Sequence, residues 1–180
     1  HEPEQLDLKD AFRKTLHLSN KPERIEVYDI SHISGASPTG VMVVYEDFRE
    51  KKKDYRVFNI KTAPSMDDVA AMAEVVRRRV ADERLGPIPD LFVIDGGKGQ
   101  LFAVSKVLKE AGIDKNAIGI AKGERRKGME DIIYIPGRKN PLVIPRASLV
   151  FREIVKMRDE AHRFAVASHR RLRKKRTLTG

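Results

Sequence analysis

Apolar and polar residues change their period along the chain, and each change marks a new element. Up to residue 18, Leu8, Ala11, Phe12 and Leu16 recur at helical spacing, which predicts a leading helix that Asn20-Lys21-Pro22 stops. Residues 24–30 then alternate, with Ile25, Val27 and Asp29 on one face, the period of a strand. Gly35, Pro38 and Gly40 mark a loop. Residues 41–45 and 55–60 predict two further strands, separated by the charged turn around Lys51-Lys52-Lys53-Asp54. Three strands joined by short polar loops predict an antiparallel meander.

The pattern becomes helical after Pro64. Ser65, three residues before Asp68, predicts a capping box, and Val69, Met72, Ala73, Val76 and Val80 form one helical stripe. Residues 91–95 read Leu-Phe-Val-Ile-Asp, a strand of the kind buried on both faces. Gly96-Gly97-Lys98-Gly99 turns it into a helix with Leu101, Val104, Ser105, Leu108 and Ala111 inward. Residues 117–121 predict another strand. Residues 131–135 and 142–144, around Gly137-Arg138-Lys139-Asn140, predict an appended hairpin. Residues 149–172 predict a long helix with Ile154, Met157, Ala161, Phe164 and Ala165 inward. A meander followed by alternating helices and strands implies an α/β domain, a mixed sheet covered by helices. The expected organisation is a leading segment over 1–20, the domain over 21–176 and a tail over 177–180.

Composition narrows the function classes. A chain of 180 residues fills a single core. With no cysteine, disulfides and thiolate metal sites are excluded. No run approaches the roughly 18 apolar residues that span a bilayer, and the polar N-terminus lacks the apolar stretch of a signal peptide, so a soluble cytoplasmic protein is expected. The net charge of +10 is unevenly placed: residues 1–90 carry 15 Lys and Arg against 17 Asp and Glu, and residues 91–180 carry 21 against 9. Such asymmetry suggests a polyanionic partner, since neutralising phosphates releases condensed counterions. The densest run, from His169 to Arg176, reads equally as a solvated basic tail.

Three residues carry candidate chemistry. Asp29 interrupts a strand pattern where an unpaired buried carboxylate is expensive; an edge position facing water, or a partner such as Arg24, would make it structural. Asp95 closes an apolar strand at its carboxyl end, where ligands gather in open α/β sheets, although Asp before Gly also starts ordinary turns. The following Gly-Gly-Lys-Gly would let backbone N–H groups and Lys98 approach a phosphate, but it lacks the spacing of a nucleotide-binding P-loop. His162, beside Asp159 and Glu160, alone reads as a surface or packing residue. Together, two carboxylates and an imidazole suit a divalent cation.

The stretches Arg24-Ile25-Glu26-Val27-Tyr28-Asp29-Ile30-Ser31-His32, Val93-Ile94-Asp95-Gly96-Gly97-Lys98-Gly99-Gln100-Leu101 and Arg158-Asp159-Glu160-Ala161-His162-Arg163-Phe164-Ala165 resemble, in order, the three signatures of the UvrC nuclease domain. The resemblance implies an RNase H-like fold and an Asp-Asp-His catalytic set of Asp29, Asp95 and His162, which would hold Mg²⁺ or Mn²⁺. It also implies damaged duplex DNA as substrate, incision 5′ to the lesion, and UvrB as a partner reached through regions outside this chain. A full-length relative would also carry an incision domain for the other cut and a helix-hairpin-helix module, so an isolated domain is expected, binding weakly and with little lesion preference. Asp68 is either an outer-shell or second-metal residue or a helix cap. Ser31 and His32 stand near Asp29. Lys98, Lys122 and Arg163 are candidate phosphate neighbours, with Arg170, Arg171, Arg173, Lys174, Lys175 and Arg176 positioning DNA. The number of ions, and the choice for His162 between ligand and proton carrier, are open at this stage. The competing readings are a non-catalytic DNA-binding module and a nuclease for RNA–DNA hybrid or branched DNA.

Overall fold

Strand β1 (Arg24–Ser31) lies in the middle of a mixed sheet and links its two halves. The computed structural model describes residues 2–32, 37–122 and 131–179, and side chains only from residue 8 to residue 171. Gly35 of the anticipated loop and the side chains of Arg173, Lys174, Lys175 and Arg176 lie outside what is described.

On one edge of β1, β2 (Thr39–Glu46) runs antiparallel, in register from Arg24 opposite Glu46 to Ser31 opposite Thr39. The other edge pairs in parallel with β5 (Leu91–Asp95), which pairs in parallel with β6 (Asn116–Lys122). The third meander strand is broken in two, β3 (Arg49–Glu50) and β4 (Arg56–Asn59), both along β2. The reversal does not fall at the lysine run. It falls at Asp47 and Phe48, both with positive φ (51° and 62°), the conformation a two-residue hairpin turn demands. Phe48 is held there by an edge-to-face contact with Phe12, at 4.9 Å between ring centroids. The anticipated separate hairpin is also corrected. Strand β7 (Asp131–Tyr134) extends the main sheet antiparallel to β6, and the 142–144 segment adds one bridge, Leu142 to Ile133.

Helices α2 (Asp68–Ala81) and α3 (Lys98–Glu110) pack together on one face of the sheet, and α1 (Glu2–Thr15) and α4 (Leu149–Thr179) on the other. The leading helix shares the core, for Phe12 and Leu16 are fully buried. Among the described residues no helix is long and apolar enough to cross a membrane. The cap of α2 is Asp67, whose side chain accepts from the Ala70 N–H, and not the Ser65–Asp68 pair. Gly40 lets α2 lie close on β2: a methyl there would stand 2.3 Å from Val75 Cγ2.

The α2 face of β1 carries polar groups where the alternation calls for apolar ones. Glu26 and Arg79 are both fully buried, and Arg79 donates to both Glu26 oxygens, Nε at 2.9 Å and Nη2 at 2.8 Å. Arg24 adds Nε to Glu26 and Nη1 to Glu46 and Asp54, each at 2.9 Å, and Tyr28 donates its hydroxyl to Glu26. Arg79 also reaches the Gly86 and Pro87 carbonyls, tying the connection before β5 to α2. A buried charge is tolerated only when paired and hydrogen-bonded, and removing one partner leaves the other stranded. Arg79→Met is expected to lower unfolding stability by roughly 3–5 kcal/mol. A urea titration that shows a midpoint unchanged from the parent would contradict this.

Candidate active site

The parallel register of β1 and β5 sets Val27 beside Val93 and Tyr28 beside Ile94. One residue further, Asp29 and Asp95 stand side by side at the strands' carboxyl ends, on the face toward α4, each partly buried and sharing a hydrogen bond. Burial, the Asp95 carboxylate and, further off, Asp68 push Asp29 up to about 7, against the pull of the Ile30 backbone. Asp95 is also raised by burial, with Arg158, the hydrogen bond from Asp29 and His162 opposing the shift. Two carboxyls in contact hold a proton between them because both charges together are too costly.

Helix α4 covers this pair. His162 is exposed on it near Asp95. One turn earlier Arg158 Nη1 donates to Asp131 Oδ1 at 2.6 Å. Asp131 did not stand out in the sequence. It opens β7 opposite Lys122, and Asp95 and Ile120 are register partners, so Asp95, Lys122 and Asp131 share the α4 face. The only local hint was an acidic residue opening a weak strand; its place beside Asp95 depends on register across three strands. At the α2 end, Asp68 is the first helical residue, paired with the His32 imidazole, and the cap at Asp67 removes the capping explanation for it. Arg24 is not the partner of Asp29, since its bonds lie on the opposite face. Ser31 stands opposite Thr39, whose hydroxyl meets His169 Nε2 at 3.2 Å, so His169 is a buried packing residue and not part of the basic run.

Other anticipated residues are not drawn to the pair. Lys98 turns toward the α3 side, its Nζ 2.6 Å from the Lys139 carbonyl and 5.6 Å from the Tyr134 ring centroid. The Gly96 N–H goes to the Ile120 carbonyl and the Gly97 N–H to Gln100 Oε1, so neither is offered to a phosphate. Arg163 forms a two-bond pair with Glu160, which also accepts from Tyr55, on the side of α4 near β2. Arg170 and Arg171 are exposed on α4 beyond His169, at the edge where β1 ends. Among the described residues no three His, Asp or Glu side chains stand close enough to form a ready-made metal cage.

The raised acidities have a defined sign. Asp29 binds its proton more tightly folded than unfolded, so its contribution to stability is complete below about pH 4 and is lost as pH rises through about 7. Metal-free protein is expected to gain a few degrees of Tm between pH 8 and pH 5.5, as about 1 kcal/mol moves Tm by roughly 2–4 °C at this size. Asp29→Asn should flatten that rise; an equally steep rise in the variant would show that other groups cause it.

Comparison with known proteins identifies the family of the chain. The profile of the family described as the UvrC RNAse H endonuclease domain matches residues 13–166. UvrABC system protein C of Solibacter usitatus is 44% identical over 98% of this chain, and that of Koribacter versatilis 46% over 95%; each alignment covers 28% of the relative, so the chain spans about a quarter of their length. Among solved structures, the catalytic domain of human Endonuclease V superposes with a TM-score of 0.46 at 16% identity, covering 98% of this chain and 96% of its own. With the family profile matched over most of its length, the chain belongs to the UvrC RNase H endonuclease domain family and is an RNase H-like α/β domain.

Proposed function

We propose that this domain is the catalytic unit for a phosphodiester incision in duplex DNA, the cut 5′ to a lesion in nucleotide excision repair. The observation that carries the reading is the pair of contacting carboxyls, Asp29 and Asp95, at the strand ends beneath His162. A structural domain gains nothing from two acids forced together at the edge of its core, whereas such a pair suits a divalent cation. Bound at Asp29 and Asp95, with His162 as a nitrogen ligand or proton carrier, Mg²⁺ or Mn²⁺ would polarise the phosphate and lower the pKa of a bound water.

The chain's own groups supply the rest. Asp29 and Asp95 are fixed by strand register and need no rearrangement. Asp68, held by His32, adds negative charge from the α2 side without touching the pair. Lys122, exposed at the end of β6 on the α4 face, is the phosphate neighbour best placed of the three named from sequence. The basic end of α4, with Arg170, Arg171 and the run to Arg176, would hold the DNA backbone without reading sequence. The partnership with UvrB and a cytoplasmic setting are proposed for the whole protein, not for these residues alone.

Supercoiled plasmid incubated in Mn²⁺, Mg²⁺ or EDTA tests the chemistry. Nicking is expected only with metal and only by the parent, with Asp29→Asn, Asp95→Asn and His162→Ala reduced at least a hundredfold, within the span seen when groups aimed at the reacting centre are removed. Equal nicking by parent and variants would overturn the assignment. Binding of a labelled duplex, followed by anisotropy, should weaken at least tenfold between about 50 and 200 mM salt, as several phosphate contacts require. A flat affinity would remove the basic helix from the DNA-binding surface.

A further inference from the structure

A proline opens the edge of the sheet where β7 stops. Gly119 of β6 faces Tyr134 of β7, so the same antiparallel register sets Ala117 against Pro136. Ile133 turns its carbonyl away from β6, to the Leu142 N–H, and Ile120 turns its own toward β5, to the Gly96 N–H. By alternation the N–H and C=O of Ala117 point out past the edge of β6, on the side where β7 would continue. Proline has no N–H to give them. Pro136 and Gly137 (φ 82°) instead form a turn, closed by the Arg138 N–H on the Ile135 carbonyl at 3.1 Å. Strand β7 ends at Tyr134, and among the described residues no strand pairs with the outer edge of residues 116–118.

A cleft of about 570 Å³ lies along this open edge, within the range of ligand sites. Leu16 and Leu18 line it from the α1 side of the sheet, and Leu108 and Ile113 from the α3 side, with Ala117 between them. On the α3 side Ser105 Oγ is buried without a hydrogen-bond partner among the described residues, a costly state for a hydroxyl. Charge at the cleft is one-sided. Lys109 and Lys115 line it, and Arg138 joins them, its Nη1 donating to Nε2 of the lining residue His17 at 3.2 Å. Asp114 is the one acid among the lining residues, and Asp90 meets Lys115 from outside only at 3.6 Å. The cleft is separate from the acidic pair. Ala117 stands beside Phe92, three residues before Asp95, or roughly 10 Å along the strands at about 3.3 Å per residue.

We propose that this cleft docks an extended segment of a protein partner, one with apolar side chains set between carboxylates, which adds as a short strand beside β6. Three features point to that occupant. The outward groups of Ala117 call for a backbone that both donates and accepts, which an extended peptide supplies. A nucleic-acid strand would answer the lysines, but its phosphates have no N–H for the Ala117 carbonyl. Apolar walls on both faces of the edge receive the side chains that alternate up and down from a strand. The cations around the cleft attract an acidic segment and reject a basic one. Because the cleft stands apart from the acidic pair, a partner held there leaves Asp29 and Asp95 open.

A fluorescein-labelled peptide of alternating Glu and Leu, titrated into the domain and followed by anisotropy and amide NMR, tests this. Saturable binding is expected, with the shifts centred on Ser105, Ala117 and Ile118. At saturation the Ala117 amide should exchange with solvent at least tenfold more slowly, the mark of strand pairing. The same peptide with Lys in place of Glu should bind at least tenfold more weakly. Lys109→Glu should weaken the acidic peptide roughly tenfold, since it sets like charges together. Lys106→Glu, on the same helix but outside the cleft, should bind as the parent does. Both lysines are exposed, so neither change disturbs the core, and circular dichroism checks that the fold is kept. No binding at millimolar peptide, equal binding of the two peptides, or an unchanged Ala117 exchange rate at saturation would overturn the proposal. Stronger protection of Ala117 by single-stranded oligothymidylate than by the acidic peptide would also overturn it, assigning the cleft to nucleic acid.

Discussion

The pairing of β1 with β5 is the constraint on which the site depends. Two strands far apart in sequence run parallel, and their register is fixed because a slip of one residue would turn Val27 and Val93 from one face to the other. The carboxyl groups are adjacent as a consequence of that register, and no loop has to hold them there. Beneath them, on the opposite face of β1, Glu26 is gripped by Arg79 and Arg24. β1 thus carries a satisfied ionic network on its α2 face and, on its α4 face, one half of an acidic pair that β5 completes. The first anchors β1 to α2 and to the connection before β5, and that anchorage allows the second to persist.

Hydrophobic period made most of the fold legible. The strands at 24–30, 41–45, 91–95 and 117–121 and the main helices stand where their patterns place them, because each buries a stripe that the sequence displays. What escaped reading had causes outside the local pattern. Glu74 and Arg79 look like polar-face residues of α2, yet both are buried. Glu74 accepts the N–H groups of Lys61, Thr62 and Ala63, which hold it down near a pKa of 2, and Arg79 answers an acid on a distant strand. The break between β3 and β4 follows from a turn in which Phe48 takes a positive φ, a choice settled by Phe12 from another element.

The candidate site was legible to a similar depth. Asp29 and Asp95 showed themselves as acids at the ends of apolar strands, and a carboxylate in such a place is conspicuous on chemical grounds alone. Asp131 and Arg158 did not, since an arginine on a charged helix and an aspartate opening a short strand are ordinary until register brings them together. Lys98, in the glycine turn after Asp95, and Arg163, next to His162, both read as phosphate neighbours in the sequence. Nearness along a chain does not fix direction: Lys98 leaves on the α3 side, and Arg163 is turned about the helix axis from its neighbour, toward Glu160.

Helix α4 runs for 31 residues from Leu149 to Thr179 with no glycine or proline to bend it. On this one rod lie Arg158, His162, the buried His169 and the start of the basic run. It is held along its length, at β7 through Asp131, at Tyr55 through Glu160 and at β2 through Thr39, with Ile154, Met157, Ala161 and Ala165 buried between, and its last turns continue past Thr39. Such a member acts as a ruler. With a rise of about 1.5 Å per residue, the eight residues from His162 to Arg170 set the imidazole near the acids roughly 12 Å along the axis from the first exposed arginine, a spacing that no loop can alter.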